Sequence, residues 1–170
     1  MTIIRLMNAN ELKLKLDNKG DHPICSDSDI GYVTLPLLML SQKLLTRIGD
    51  LLDRKYKMSN SELDVLASLH SAYDEKHTLT PTKLYERLFF SSGGMTKVLK
   101  KLEQKEFINR LNNEEDKRSK LVQLTPSGKD ILEKSLSDVI KLEEAIFAHV
   151  KSDERKSLSD LLFKALDGVE

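Results

Sequence analysis

Leucine spacings of three and four residues predict helices along most of this chain. A long helix is expected from Thr34, since Pro36 is tolerated in a first helical turn. Its apolar residues form two stripes, at Leu37, Leu40, Leu44, Ile48 and Leu51 and at Leu38, Leu45 and Leu52. A helix that is apolar on two sides is either buried between neighbours or shared with another chain.

Three shorter helices are predicted next, and each has a recognisable start. Ser59 or Asn60 can cap the first, Pro81 suits the first turn of the second, and Ser91 or Ser92 can cap the third. Their predicted inner faces are, in order, Leu63, Leu66, Leu69 and Tyr73; Leu84 and Leu88; and Met95, Val98, Leu99 and Leu102.

The spacing of apolar residues changes after the third short helix. Residues 107–111 alternate loosely between apolar and polar, and residues 119–124 alternate clearly, as two paired strands do. The intervening residues 112–118 are all polar or charged and predict a hairpin tip. Two further helices are expected, one opening at Thr125 and one near Ser152. Three short helices before a hairpin are the plan of a winged helix-turn-helix, so the predicted fold class is mostly α with a small β-hairpin.

The first residues are predicted to form an arm rather than part of the core. Leu12, Leu14 and Leu16 alternate with Lys13 and Lys15, which suits either a short strand or one edge of a frayed helix. Gly, Pro, Asp and Ser then predict a loop up to Gly31. The predicted organisation is an N-terminal arm over 1–31, a long helix over 32–57, a winged-helix lobe over 58–125 and C-terminal helices over 126–170.

Composition narrows the class of protein. A length of 170 residues suggests one domain, and a single cysteine, Cys25, cannot form an internal disulfide, which fits a reducing cytoplasm. No apolar run reaches the length of a membrane span, and the N-terminus has no signal-peptide core. We therefore expect a cytoplasmic protein without a membrane partner.

The charges are balanced overall but unevenly spread. The 27 Lys and Arg equal the 27 Asp and Glu, which by itself argues against a nucleic-acid partner. Residues 83–120, however, hold ten basic and six acidic residues, a local charge of +4. Residues 126–170 hold seven basic and ten acidic residues, a local charge of −3. The predicted winged-helix lobe is therefore the basic part of the chain.

The third short helix has a small and basic outer face. At 100° per residue, the positions opposite its apolar face, with two flanking positions, are Gly93, Lys97, Lys100, Gln104, Thr96 and Lys101. An ordinary solvated surface would look similar. A hairpin that follows directly favours DNA contact instead, because a winged helix presents this helix to DNA.

Four segments in this region resemble the MarR (multiple-antibiotic-resistance regulator) family. Residues 92–103, SGGMTKVLKKLE, resemble the recognition helix of that family. The segments that resemble its first wing strand, its Asp-x-Arg wing tip and its Leu-Thr-x-x-Gly helix start are 107–110, 115–118 and 124–128. The resemblance covers about residues 34–168, and its specific part is about 80–130.

The resemblance implies a homodimer on double-stranded DNA. The segments 32–57 and 126–170 would then form the dimerisation domain. The DNA-binding residues that it implies are Ser91, Ser92, Gly93, Thr96 and Lys97 at the major groove, Lys100 and Lys101 near phosphates, and Asp116, Lys117 and Arg118 in the wing. Arg118 would enter the minor groove while Asp116 braces the wing. Glu106 departs from the family, which usually has Gly there, so we expect a different turn and weaker DNA binding.

The expected function is a dimeric transcriptional regulator, with repression favoured over activation, that binds a pseudo-palindromic operator. The resemblance adds release by a small aromatic or amphipathic effector, for which Tyr32, Met39, Arg47, His70 and Tyr73 are residues of a suitable kind, although packing explains them equally well. The alternative is a winged-helix protein-interaction module without sequence-specific DNA binding. No nucleophile, carboxylate pair or phosphate loop indicates an enzyme, and no cofactor or metal is expected. Convergence of His70 with His77, and oxidant sensing by Cys25, are minor alternatives to structural roles.

Overall fold

A computed structural model describes residues 8–17, 30–72, 77–88, 92–113 and 120–169. Within them, seven helices and three strands follow one another: α1 (Ala9–Asp17), α2 (Gly31–Tyr56), α3 (Asn60–His70), β1 (Thr78–Leu79), α4 (Pro81–Leu88), α5 (Ser92–Gln104), β2 (Ile108–Asn112), β3 (Lys120–Leu124), α6 (Pro126–Ile146) and α7 (Ser152–Leu166). The chain divides into two compact units, Met1–Asn60 and Ser61–Glu170. Among the helices described, none combines the length and the apolar character that crossing a bilayer requires.

The first unit contains α1 packed on α2. Leu12 and Leu16 are buried against Met39, and the Tyr32 hydroxyl donates a hydrogen bond to the Leu16 carbonyl oxygen. The sequence left a strand or a frayed helix open for this segment, and the structure has a helix with its own small core. The prediction of an arm outside the core is therefore wrong for residues 9–17.

Helix α1 begins with a reciprocal cap. The Asn8 side chain accepts a hydrogen bond from the Glu11 backbone N–H, and the Glu11 carboxylate accepts one from the Asn8 N–H, both at 2.9 Å. This capping box satisfies two N–H groups that would otherwise lack partners at the helix end. The sequence contains this capping pattern, Asn8 followed by Glu11 three residues later, but the alternation of leucine and lysine that follows also suits a strand.

Helix α2 begins at Gly31, three residues before the predicted start at Thr34. Pro36 therefore lies in the second turn, where it removes one backbone hydrogen bond. In the second apolar stripe Leu52 is fully buried, but Leu38 is 44% and Leu45 is 53% exposed. The helix thus has apolar residues that the described part of the chain leaves exposed.

The second unit has the predicted winged-helix core. Its three short helices bury the inner faces that the spacing predicted, with Leu63, Leu66, Leu69, Leu84, Met95, Leu99 and Leu102 all buried. Leu88 and Val98 are only partly buried, and Tyr73 lies outside the described residues. The prediction of a helical lobe is confirmed.

The sheet has three strands in the order β1-β3-β2, all antiparallel. The predicted hairpin is confirmed, with Ile108 opposite Leu124 and Asn112 opposite Lys120. Most of its predicted tip, residues 114–118, lies outside the described part of the chain, as does Ser119, which was predicted to begin the second strand. Strand β1 was not predicted, because two residues are too few to show alternation.

The turn after α5 departs from the expectation drawn from Glu106. The N–H of Glu106 bonds to the Glu103 carbonyl and that of Phe107 to the Leu102 carbonyl, which is the Schellman pattern. Glu106 occupies its left-handed position, with φ of 59°. The turn is thus of a kind that glycine adopts readily, and the glutamate costs about 1 kcal/mol there.

The base of the hairpin is joined to the start of α6. The Thr125 hydroxyl accepts a hydrogen bond from the Gly128 N–H at 2.9 Å and donates one to the Glu106 carbonyl at 2.8 Å. The Thr125 N–H also donates to the Phe107 carbonyl. The predicted helix start at Thr125 is confirmed, and its cap connects α6 to the turn that ends α5.

Candidate nucleic-acid interface

Helix α5 separates an apolar face from a basic one. Met95, Leu99 and Leu102 are at most 2% exposed and attach the helix to the core. Thr96, Lys97, Lys100 and Lys101 are exposed on the outside. We call these four residues the basic face of α5. The structure therefore brings these four predicted residues together on one solvent-facing surface.

The lysines of the basic face are available to a ligand. Among the residues that the structure describes, no carboxylate lies within ion-pair distance of the Lys97, Lys100 or Lys101 ammonium groups. Three positive charges on one helix face, without internal compensation, attract a polyanion. They span little more than one helical turn, about 6 Å along the axis, and a row of charges on this scale suits the phosphates of a nucleic-acid backbone better than a single small anion.

Other basic residues of the same region are already engaged. The Lys105 ammonium group lies 2.5 Å from a carboxylate oxygen of Glu62, and Arg110 Nε lies 3.2 Å from a carboxylate oxygen of Glu103. Lys120 donates a hydrogen bond to the Asn112 side chain. Among the described residues, Lys105 and Arg110 are therefore compensated by carboxylates, whereas the three lysines of the basic face of α5 are not.

Helix α4 packs against α5. Thr80 caps α4 by accepting a hydrogen bond from the Lys83 N–H, and Leu84 is fully buried. The Arg87 guanidinium group donates to the Ser68 carbonyl of α3 at 3.2 Å. Arg87 is exposed, and this hydrogen bond ties α4 to α3.

The remaining predicted DNA-binding residues are not placed by the structure. Ser91, Asp116, Lys117 and Arg118 lie outside the described residues. Ser92 begins α5, and Gly93 follows it in the same helix. The predicted wing contacts thus stay predictions, while the exposure of the basic face is observed.

His70 and His77 converge, as the sequence allowed. Their rings are stacked with centroids 5.2 Å apart and planes 8° from parallel, and His77 Nδ1 is buried without a hydrogen-bond partner. Parallel rings do not aim their in-plane lone pairs at one point, so this pair is not arranged to hold a metal ion. No group of three or more potential ligands is found in the described ranges.

The structure does not bring the residues considered for an effector crevice together in one site within the described part of the chain. Met39 is buried under α1, and Tyr32 is bonded to the end of α1, so packing accounts for both. Arg47 is exposed on α2. Tyr73 and the candidate sensor Cys25 lie outside the described residues.

Comparisons with known proteins agree on one family. The model of the MarR family matches residues 58–120. The chain is 28% identical over 134 residues to the transcriptional regulator PecS of Dickeya dadantii, covering 75% of this chain and 79% of PecS. It is 33% identical over 109 residues to the regulator SarZ of Staphylococcus aureus strain USA300, covering 64% of this chain and 68% of SarZ.

A solved relative extends the likeness to three dimensions. A mutant MarR from E. coli, in complex with operator DNA, superposes with a TM-score of 0.66 and 30% identity, over 83% of this chain and 99% of that one. The relatives are transcriptional regulators, a family without enzymatic activity, in agreement with the absence of a catalytic pattern in the sequence. The resemblance inferred from residues 92–128 is thus confirmed, and this chain belongs to the MarR family of winged-helix transcriptional regulators.

Proposed function

We propose that this protein regulates transcription as a homodimer that binds a pseudo-palindromic operator in double-stranded DNA. The observation that carries the proposal is the basic face of α5, whose three lysines have no carboxylate partner among the described residues. The MarR relative in complex with operator DNA supports the same assignment.

In this proposal α5 enters the major groove. The residues that approach the bases are Ser91, Ser92, Gly93, Thr96 and Lys97. Small residues at the N-terminal end of a helix allow a close approach to the groove, and the backbone N–H groups of that end attract phosphate. Lys100 and Lys101 neutralise phosphates further along the helix. Asp116, Lys117 and Arg118 form the wing contact, with Arg118 in the minor groove.

The dimer is supported by the exposed apolar surface of α7. This helix buries none of its residues in the single chain. Phe163 is 65% and Leu166 is 58% exposed, and together with Phe147 they line an open apolar groove of about 410 Å³. An apolar surface of this kind is costly in water and marks an interface. A second copy would cover it symmetrically, as two-fold dimers do.

Replacing Phe163 by Glu is expected to convert the dimer to monomer. Each copy would place a charge in the interface and lose a buried aromatic ring, so the dimer dissociation constant should rise about 100-fold or more. Sedimentation velocity over a range of concentrations measures this constant. Lys164→Gln, next to it on the polar side of α7, changes the charge equally and should leave the dimer intact. Equal behaviour of the two variants would contradict the interface.

The experiment that tests the proposed function is selection of bound genomic fragments followed by affinity measurement over a range of salt concentrations. We expect specific fragments with two half-sites about one helical turn apart. Their log Kd should rise steeply with log salt, with a slope of about five or more, because lysines displace counterions from phosphates. Binding that is absent at low salt would instead favour a protein-interaction module.

Further parts of the proposal concern regulation. We propose repression, a cytoplasmic location, and release by a small aromatic or amphipathic effector. An operator complex titrated with compounds of that class should dissociate at a saturable concentration, whereas compounds without an apolar part should leave it bound.

A further inference from the structure

The C-terminal end of α5 carries an ion pair that is unusual in this protein. Glu62, in the first turn of α3, is 2% exposed and is the one charged residue that is buried within the described ranges. Its carboxylate lies 2.5 Å from the Lys105 ammonium group. Lys105 directly follows α5 and remains bonded to it through its N–H, which donates to the Lys101 carbonyl. The pair therefore links the start of α3 to the end of α5.

Stability alone does not account for this pair. Burying the Glu62 carboxylate costs about as much as its attraction to the partly exposed Lys105 returns, so an apolar pair of similar size usually stabilises a fold equally well. A charged pair differs from an apolar contact because it is directional. The carboxylate and the ammonium group fix the distance and angle between the two helix ends.

A second ion pair also involves the C-terminal end of α5. Glu103, in the last turn of α5, pairs with Arg110 of β2 at 3.2 Å. These side chains are 45% and 32% exposed, so the interaction is weaker than a buried one. Together the two pairs attach the end of α5 to α3 and to the wing strand β2.

The geometry points to Glu62 as a positioning residue: through Lys105 it sets the orientation of α5, and with it the placement of the basic face on DNA. This inference rests on the proposed function. A helix of 13 residues is about 20 Å long, so a tilt of about 10° at its C-terminal end moves its N-terminal end by about 3 Å. That displacement is as large as the length of a hydrogen bond, and it would occur in both copies of a dimer.

The test replaces the pair by an apolar one, in Glu62→Met with Lys105→Met. Net charge is unchanged. We expect the thermal midpoint to stay within about 5 °C of the wild type, while operator affinity falls about tenfold. The matched control is Glu133→Met with Lys129→Met, which removes an exposed ion pair of α6 and should change neither quantity. Operator affinity equal to that of the wild type, in a folded double variant, would overturn the inference.

The salt dependence separates positioning from direct contact. If Lys105 only positions α5, the slope of log Kd against log salt should be the same in the double variant and the wild type. A slope lower by about two per dimer would make Lys105 a phosphate ligand and overturn the positioning role. If the double variant does not fold, Glu62→Asp replaces it, because this substitution keeps the charge but shortens the side chain. We expect a folded protein with about threefold weaker operator binding. Unchanged binding would count against the inference.

A DNA-independent measurement distinguishes failure of the positioning role from failure of the proposed function. Spin labels at Asp64→Cys on α3 and Lys97→Cys on α5, in a Cys25→Ser background diluted with unlabelled protein, report the distance between the helices. We expect a broader or shifted distance distribution in the double variant, and an identical distribution would overturn the role. If the wild type binds no operator, the proposed function fails, and this distance alone decides whether Glu62 orients α5.

Discussion

Replacing Lys97, Lys100 and Lys101 together by alanine is expected to weaken the operator complex by about three orders of magnitude. A dimer would lose six positive charges, and the slope of log Kd against log salt should fall by about five. The substitutions should not harm the fold, because all three side chains are exposed and alanine favours the helix. Fluorescence anisotropy with a labelled operator, at several salt concentrations, measures both quantities.

The matched control removes the same charge from another helix. Lys129, Lys134 and Lys141 are exposed on α6, where each lies near a carboxylate of the same helix. Their triple alanine variant should bind the operator within about threefold of the wild type, since surface pairs contribute little. If both triple variants lose the same affinity, net charge rather than the basic face of α5 determines binding.

The largest effect on stability is expected from Gly128→Ala. A Cβ atom at this position would lie 2.1 Å from the Phe107 carbonyl oxygen and 2.9 Å from Leu124 Cδ1. The Phe107 carbonyl oxygen already accepts a hydrogen bond from the Thr125 N–H, so moving it away from a Cβ atom would break that bond. We expect the free energy of unfolding to fall by about 3 kcal/mol, as overpacking in a fixed core does. Urea denaturation measures the loss.

Gly49→Ala provides the comparison for that variant. Gly49 is also helical, but a Cβ there would lie 3.4 Å from the Asn60 side chain, close to ordinary contact. Alanine should leave stability unchanged or raise it by up to about 1 kcal/mol, because it favours the helix. A Gly128→Ala protein as stable as Gly49→Ala would show that the hairpin base and α6 do not approach as closely as described.

Local patterns were sufficient for most elements of the winged helix. The spacing of Leu63, Leu66 and Leu69 predicts the buried side of α3, and clear alternation predicts β3, because each pattern reflects one face of one element. Strand β1 escaped prediction, since its two residues are ordered by pairing with β3 rather than by their own pattern. For helix α1 the alternation of leucine and lysine left a strand and a frayed helix open, and the cap formed by Asn8 and Glu11 is seen only in the structure.

In the candidate site, too, some features follow from local patterns and others only from the folded structure. Helical geometry was enough to predict that Met95 lies inward and Lys97 outward, because residues of one helix keep a constant angle to each other. The role of Lys105 was not predictable, since its partner Glu62 is 43 residues away in the chain. A count of charges treats Lys105 and Lys100 alike, whereas folding neutralises one and leaves the other exposed.

The sequence alone is therefore informative about the type of each element, the inner face of each helix and the family. Tertiary contacts establish which charges remain available, how closely Gly128 approaches Phe107 and how the end of α5 is held. The physical reason is the separation along the chain over which each kind of interaction acts. Periodicity and capping act between residues a few positions apart, whereas ion pairs and close packing depend on chain segments that meet only in the folded protein.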